Sequence, residues 1–379
     1  MTRSLRIALL VNPFTLGMKW GEHAPELARE LLGFGHTVRG FGAPPGAIPR
    51  SGSSPAGEGG DEPVGVAGFK PDAIVAYDAL SPAAWLGART ARKLSVPLIL
   101  VEAANGGAAT GRGMVLQAVG RRLFGRYVRA TANAVIALDA VAKERVLRAG
   151  FSPALVSVHP GGVDLNACRP GLTSGLILRH RVRGRILLYV GQLTENRGLE
   201  TLVTAFANTV GQRDDWSLVF AGEGSARAAL RAKIDRLGIG SRVQWVGAPR
   251  EEELPGLLSA STLLAVPAVD DTVRGRNIPR ALACGLPVLA SDRPALRHFV
   301  EHDVTGLLAA SGDVQAWTET LRIAAMSPES RRRWGLAARA VAHERYAWPN
   351  IARVFESAIE AERASVPSPH GGHVVDART

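Results

Sequence analysis

Short, uniformly apolar runs alternate along this chain with longer stretches in which apolar residues return every three or four positions. Runs at 7–11, 37–41, 73–76, 97–101 and 134–138 read as strands, with helical periodicity at 25–35 and 82–94 and in a further stretch before the fifth run. The scheme restarts at 186 and continues through strand-like runs at 218–221, 243–246, 263–266 and 288–290, again with helical stretches between them. Strands that are apolar at every position are buried on both faces, and strands separated by helices run parallel. The pattern therefore predicts an α/β protein of two Rossmann-like domains.

Interruptions of the pattern set the expected boundaries. Residues 43–68, with Pro44-Pro45, Ser51-Gly52-Ser53-Ser54 and Gly59-Gly60, bury too little apolar surface to pack and read as a flexible insertion in a first domain, 1–170. A Gly/Ser stretch and the basic run 179–185 read as a linker over 171–185, ahead of a second domain, 186–345. An apolar-periodic helix is expected over 346–363, and the Pro-, Gly- and His-bearing tail 364–379 lacks periodicity and reads as disordered.

The 379 residues and 46% hydrophobic content suffice for two cores, and the 6% aromatic content suits close-packed α/β layers. A formal charge of +11 directs attention to anionic partners: a nucleotide, a phospholipid surface or a nucleic acid. Nucleic acid is not expected, because the basic stretches lack interleaved aromatics for base stacking. With Cys168 and Cys284 as the two cysteines, neither a disulfide framework nor a Cys-based zinc spacing is available. The N-terminus runs into the first strand without a signal-peptide pattern, and no run is long enough to span a bilayer, so a cytoplasmic protein is expected, with any membrane contact peripheral.

Candidate chemistry begins at Leu187-Leu188-Tyr189-Val190-Gly191-Gln192-Leu193-Thr194-Glu195-Asn196-Arg197-Gly198. Here a strand ends at a glycine turn, and a cation precedes a new helix, the arrangement that gathers main-chain N–H groups and charge onto a phosphate. Gly222-Glu223-Gly224 follows the next strand but lacks the third glycine of a dinucleotide fingerprint, and no such fingerprint follows the first strand, which disfavours hydride transfer. The segment Asp270-Asp271-Thr272-Val273-Arg274-Gly275-Arg276-Asn277-Ile278-Pro279-Arg280 joins three arginines to a flexible glycine ahead of a helix.

In order and spacing these motifs resemble retaining GT-B glycosyltransferases of group 1 (family 4-like). Gly35-His36-Thr37-Val38, Lys70-Pro71-Asp72, His159-Pro160-Gly161-Gly162-Val163-Asp164, Gly222-Glu223-Gly224 and Ala281-Leu282-Ala283-Cys284-Gly285-Leu286-Pro287-Val288 all match family patterns. The resemblance implies two domains facing across a cleft, with the later one holding the donor. It assigns Arg197, where the family has Lys, to the donor diphosphate, and Asp271 to the family's first Glu, which contacts the donor sugar. Gly191, Gln192, Gly222, Gly224, Arg274, Gly275, Arg276, Asn277 and Arg280 become donor-side residues. Gln192 replaces the family's Arg, so Arg274 or Arg276 is expected to supply the missing charge. Arg280 replaces the ribose-binding Glu, and a guanidinium cannot accept from hydroxyls. On the acceptor side the resemblance implies Gly17, Lys19, Glu22 and His23 from the first loop, and Glu102 and Asn105 beside Ala103, which stands near the family's His.

The implied reaction moves a sugar from a nucleotide-sugar donor, a substrate rather than a cofactor, to a glycan, lipid or small hydroxyl acceptor. Configuration is retained by front-face attack, with the leaving phosphate taking the acceptor's proton, and without metal, since no Asp-x-Asp motif occurs. A helix expected near 114–130, with Arg122, Arg126 and Arg129 beside an apolar stripe, suggests contact with an anionic membrane, against the alternative of an ordinary core helix. Two other functions stay open: a GT-B protein that binds a sugar nucleotide, glycan or partner subunit without catalysis, and a nicotinamide oxidoreductase.

Overall fold

The computed structural model describes residues 4–11, 23–42, 65–103, 125–211, 213, 215–273 and 275–365. The chain divides into two compact units, Met1–Gly161 with Trp348–Thr379, and Gly162–Ala347.

The first unit is a six-stranded sheet of β1 (Arg6–Leu10), β2 (Thr37–Phe41), β3 (Ala73–Tyr77), β4 (Leu98–Glu102), β5 (Ala134–Ala137) and β6 (Val156–Val158), in the order β2-β1-β3-β4-β5-β6. Every neighbouring pair is parallel. Alternate strand residues feed two cores. Ile7, Leu9, Val75 and Ile99 pack with the helices His23–Gly33 and Trp348–Ser365, while Ala8, Leu10, Ile74 and Leu100 pack with Pro82–Leu94 and Ala140–Arg148. Side chains stop the backbone where helices must begin. Ser81 accepts from the N–H of Ala84 and Asp139 from that of Ala142, each cap contributing about 1 kcal/mol. His36 is buried, its Nδ1 accepting from Leu5 N–H and its Nε2 thereby left to donate to Glu356, so this motif residue ties the first strand to the last helix.

The second unit repeats the plan with β7 (Arg185–Val190), β8 (Trp216–Ala221), β9 (Val243–Trp245), β10 (Leu263–Val266), β11 (Val288–Ser291) and β12 (Gly306–Ala309), in the order β12-β11-β10-β7-β8-β9 and parallel throughout. The chain winds outward from β7 through β9 and then restarts on the other side at β10. The strand order therefore reverses between β7 and β10, and the loops leaving the carboxyl ends of these two strands flank the crevice where doubly wound sheets take ligands.

One expected boundary moves. The stretch 171–185 contains a helix, Gly175–Arg179, capped by Ser174, and its Leu176 is buried with Cys168 in the second unit's core. The separation falls at Gly161–Gly162, and the second unit already includes the Gly/Arg-rich stretch. Of the expected insertion 43–68, Val66 is buried beside Phe69, and 43–64 lie outside the described residues. The last helix reaches Ser365, and 366–379 lie outside them as well. Among the described residues no helix is long and apolar enough to cross a membrane.

Candidate functional site

At the switch point of the second sheet, β7 runs out at Val190 and the chain turns at Gly191, where Tyr189 donates its hydroxyl hydrogen to Gln192 O at 2.7 Å. A single 3-10 turn, Glu195–Arg197, then leads through Gly198, in left-handed conformation with φ +66°, into the helix Leu199–Thr209. Gly198 is required twice over, because a Cβ there would also lie 1.7 Å from Pro267 O.

Gly222 and Gly224 allow the β8 loop to lie directly on the β7 loop. Added Cβ atoms would stand 1.8 Å from Gly191 O and 2.2 Å from Leu193 O. Gly191 N–H donates to Ala221 O, and Leu193 N–H to Glu223 O. The N–H of Gly191, expected to face a phosphate, is thus used within the fold.

Arg197 is half-buried. Its Nη2 reaches Gln192 Oε1 at 3.3 Å, while its Nε is buried without a hydrogen-bond partner. An unsatisfied guanidinium N–H at a crevice costs desolvation energy that an arriving anion would recover. Across the switch point, Asp270 accepts from Thr272 N and Oγ1, and Asn196 Nδ2 bridges to Asp270 at 3.4 Å and to Thr272 Oγ1 at 2.8 Å. Burial opposes ionisation of Asp270, but the hydrogen bonds from Thr272 and Asn196 and the charge of Arg197 outweigh it and hold the carboxyl below its ordinary range.

Asp271, the carboxylate expected beside the donor sugar, is gripped by Arg293, whose Nε and Nη2 donate to its two oxygens at 3.1 and 2.8 Å. The structure therefore brings Asp270, not Asp271, to Asn196 and Arg197, because the Thr272 turn sends successive carboxylates to different partners. Arg280, which stands where the family has its ribose-binding Glu, is in an ion pair with Glu251. Arg276 is exposed, and Asn277 stands just before the helix Ile278–Ala283 without a side-chain capping bond. Gly275, at φ +61°, is buried where a Cβ would press on Ile278, Leu296 and Phe299. Arg274 lies outside the described residues.

On the first unit, Gly17, Lys19, Glu22 and Asn105 also lie outside the described residues. His23 opens the first helix as a core residue. Its Nδ1 meets Tyr77 Oη at 3.0 Å, it packs edge-on against Trp348, and burial lowers its pKa to about 4. It is neutral at physiological pH and faces the sheet. Glu102 ends β4 and is buried, accepting from Ala79 N–H at 2.8 Å with Arg145 3.4 Å away. Burial pushes its carboxyl up to about 8, reinforced by Asp78 and opposed by Arg145. Ala103, at the family's His position, is buried and apolar. Of the arginines expected on a membrane face, Arg126 is exposed, Arg129 turns inward to cap Ala149 O at 2.9 Å, and Arg122 is not among the described residues.

Residue reading missed Asp270 and Asn196 beside Arg197, Arg293 beside Asp271, and Asp78 and Arg145 around Glu102. Asp270 and Asn196 were signalled only by their place in loops leaving core strands that neighbour each other in the sheet, and Arg293, Asp78 and Arg145 gave no signal at all.

Residues 177–341 match the model of the family described as glycosyl transferases group 1. The chain is 28% identical over 298 residues to a D-inositol 3-phosphate glycosyltransferase of Xylanimonas cellulosilytica, covering 73% of this chain and 70% of that one. A protein of the same name from Thermobispora bispora is 29% identical over 231 residues, covering 57% of this chain and 53% of the relative, so the chain spans about half its length. In three dimensions it is similar to Anabaena HepE in complex with UDP, with a TM-score of 0.68 at 19% identity, covering 94% of this chain and all of the other. The same protein is also known in complex with UDP-glucose. The two parallel-sheet units have the GT-B fold, and the second unit carries the match to the group 1 glycosyl transferase model.

Proposed function

We propose that the protein transfers a sugar from a nucleoside diphosphate donor to a small hydroxyl-bearing acceptor, with retention of configuration and without a metal. The observation that carries this reading is Arg197, a half-buried guanidinium at the switch point of the second sheet with an unsatisfied Nε. Departure of a nucleoside diphosphate concentrates negative charge on the bridging and terminal phosphate oxygens while the anomeric carbon becomes cationic. A fixed guanidinium aimed at those oxygens stabilises that separation more than it stabilises the ground state. Gln192 adds a neutral hydrogen-bonding group, and Asp270 anchors Asn196, so the loop is positioned before the donor arrives.

UDP is the favoured nucleotide, because a structural relative is known with UDP and with UDP-glucose. Relatives named for inositol 3-phosphate make a polyhydroxylated, phosphorylated ring the first acceptor to try, ahead of glycans and lipids. The leaving phosphate is the base that takes the acceptor's proton, and the protein is placed in the cytoplasm, with Arg126 available to an anionic membrane surface. Incubation with UDP-, GDP- and ADP-sugars, with and without inositol phosphates, is expected to give transfer or slow donor hydrolysis. Absence of both across the panel would count against the proposal. The second reading, a binding protein without turnover, is favoured by the pairing of Asp271 with Arg293 and Arg280 with Glu251, and predicts nucleotide binding in the same panel with no product.

A further inference from the structure

Two thiols in the second unit have no part in the proposed reaction. Cys168 ends a tight turn in which Asp164 accepts from the N–H groups of Asn166 and Ala167, and Cys168 N–H donates to Asp164 O at 2.8 Å. Cys284 lies 116 positions later, at the end of the helix Ile278–Ala283. Both are buried in the same core. A single guanidinium fixes the two backbones together. Arg339 Nη1 donates to Cys168 O at 2.8 Å and also to Ala283 O, and its Nη2 donates to Leu165 O at 3.2 Å. Within that clamp the Cys284 thiol donates to Pro255 O, 3.7 Å from its Sγ, and lies close enough to the Cys168 thiol to perturb it. The chain has no other cysteine.

We propose that Cys168 and Cys284 form a reversible oxidation site that closes to an intrachain disulfide when the protein meets a hydroperoxide. The two thiols are inequivalent in the way such chemistry needs. The neighbouring Cys284 thiol favours the Cys168 thiolate, burial opposes it, and the charge of Arg280 supports it. The same proximity and burial push the Cys284 thiol up, which leaves it as the resolving partner. The Cys168 thiolate attacks one peroxide oxygen, the O–O bond breaks, and the departing hydroxide takes a proton to become water. Cys284 then attacks the Cys168 sulfenic sulfur, the S–O bond breaks, and the hydroxyl leaves with the Cys284 proton as a second water. Two thiols lose two electrons and one peroxide is reduced to two waters. The new bond would tie the turn that opens the second unit to the helix behind the Gly275 loop.

The test uses the full chain and needs no sugar donor, so it succeeds or fails separately from the transfer reading. Protein treated with one equivalent of hydrogen peroxide is denatured, alkylated and weighed by intact mass spectrometry. The expected product is monomeric, lighter by about 2 Da, unalkylated, and doubly alkylated once dithiothreitol has been added. In Cys284→Ser, dimedone is expected to capture a sulfenic acid at Cys168, and Cys168→Ser should show no capture. Two alkylated thiols after peroxide, addition of oxygen at both cysteines, or a disulfide between two chains would each overturn the proposal, and the wild-type measurement decides it even if a variant fails to fold.

Discussion

At the scale of single residues, the account turns on groups whose neighbours determine what they can do. Arg197 is expected to be indispensable, and Arg197→Ala should lower the transfer rate about 100-fold or more at saturating donor. Arg197→Lys should recover part of it, because charge survives while the two-pronged geometry does not. Glu102 gives a prediction for stability. Its folded carboxyl titrates near 8 against an ordinary 4.5, so between these values the folded chain holds a proton that the unfolded chain has released. Stability from this group is complete below the ordinary value and falls as pH rises through about 8. His23 acts with the opposite sign but only below its ordinary 6.5, so above that value the slope comes from Glu102 together with its neighbour Asp78, whose carboxyl burial also raises. Urea melts from about pH 6.5 to 8 should lose midpoint in the wild type, and the slope should flatten in Glu102→Gln; an unchanged slope would rule out the buried proton. Reading the sequence singled out Arg197 as a cation between a glycine turn and a helix, and the structure leaves it half-buried with its Nε unpartnered. It named Asp271 by aligning on Pro267 to the family's first Glu, whereas the turn at Thr272 decides that Asp270 faces Asn196 and Asp271 meets Arg293.

At the scale of elements, most of the strands that were legible are buried on both faces, although β2, an edge strand with one buried position, was legible too. β2 and β10 match the apolar runs at 37–41 and 263–266, and β3, β4, β7 and β8 differ only at their ends. β6 and β12 were missed. The first is a three-residue edge strand with one buried position, and the second, Gly306–Ala309, is short and opens with a glycine. Gly/Arg-rich composition hid the helix Gly175–Arg179, since one buried leucine makes no periodicity. The glycines after β7 and β8 were read as places for phosphate, but their closest constraint is each other's backbone. Gly222→Ala is expected to lower stability by about 3 kcal/mol in chemical denaturation, because neither loop can yield without breaking the pairing of Leu193 with Glu223. Gly240→Ala is the control. Like Gly222 it lies outside the left-handed region, but an added Cβ would meet nothing closer than 3.7 Å, so a change within about 0.5 kcal/mol is expected. Equal losses in the two variants would show that loop contact does not govern Gly222.

At the scale of the whole molecule, two sheets of like topology are built from one chain that returns at its end to its first unit. Trp348, Ile351, Phe355 and Ile359 of the last helix are buried in the same core as Ile7, Leu9 and Val75. Deleting residues 348–379 should therefore uncover one face of the first sheet while sparing the second. Limited proteolysis is expected to digest the first unit and leave a resistant fragment near 162–347, and a uniformly resistant chain would contradict that division. Doubling of the alternating pattern made the two-unit α/β architecture legible in the sequence, because each sheet is specified by its own run of apolar strands. The switch point was not legible, since strand order depends on which strands pair and not on their sequence order. The most direct test of the account is calorimetric titration of UDP into the full-length protein and into Arg197→Ala. Binding by the wild type, weakened about tenfold or more in the variant, is the predicted result; equal affinity in the two proteins would remove the diphosphate from Arg197 and the proposed chemistry with it.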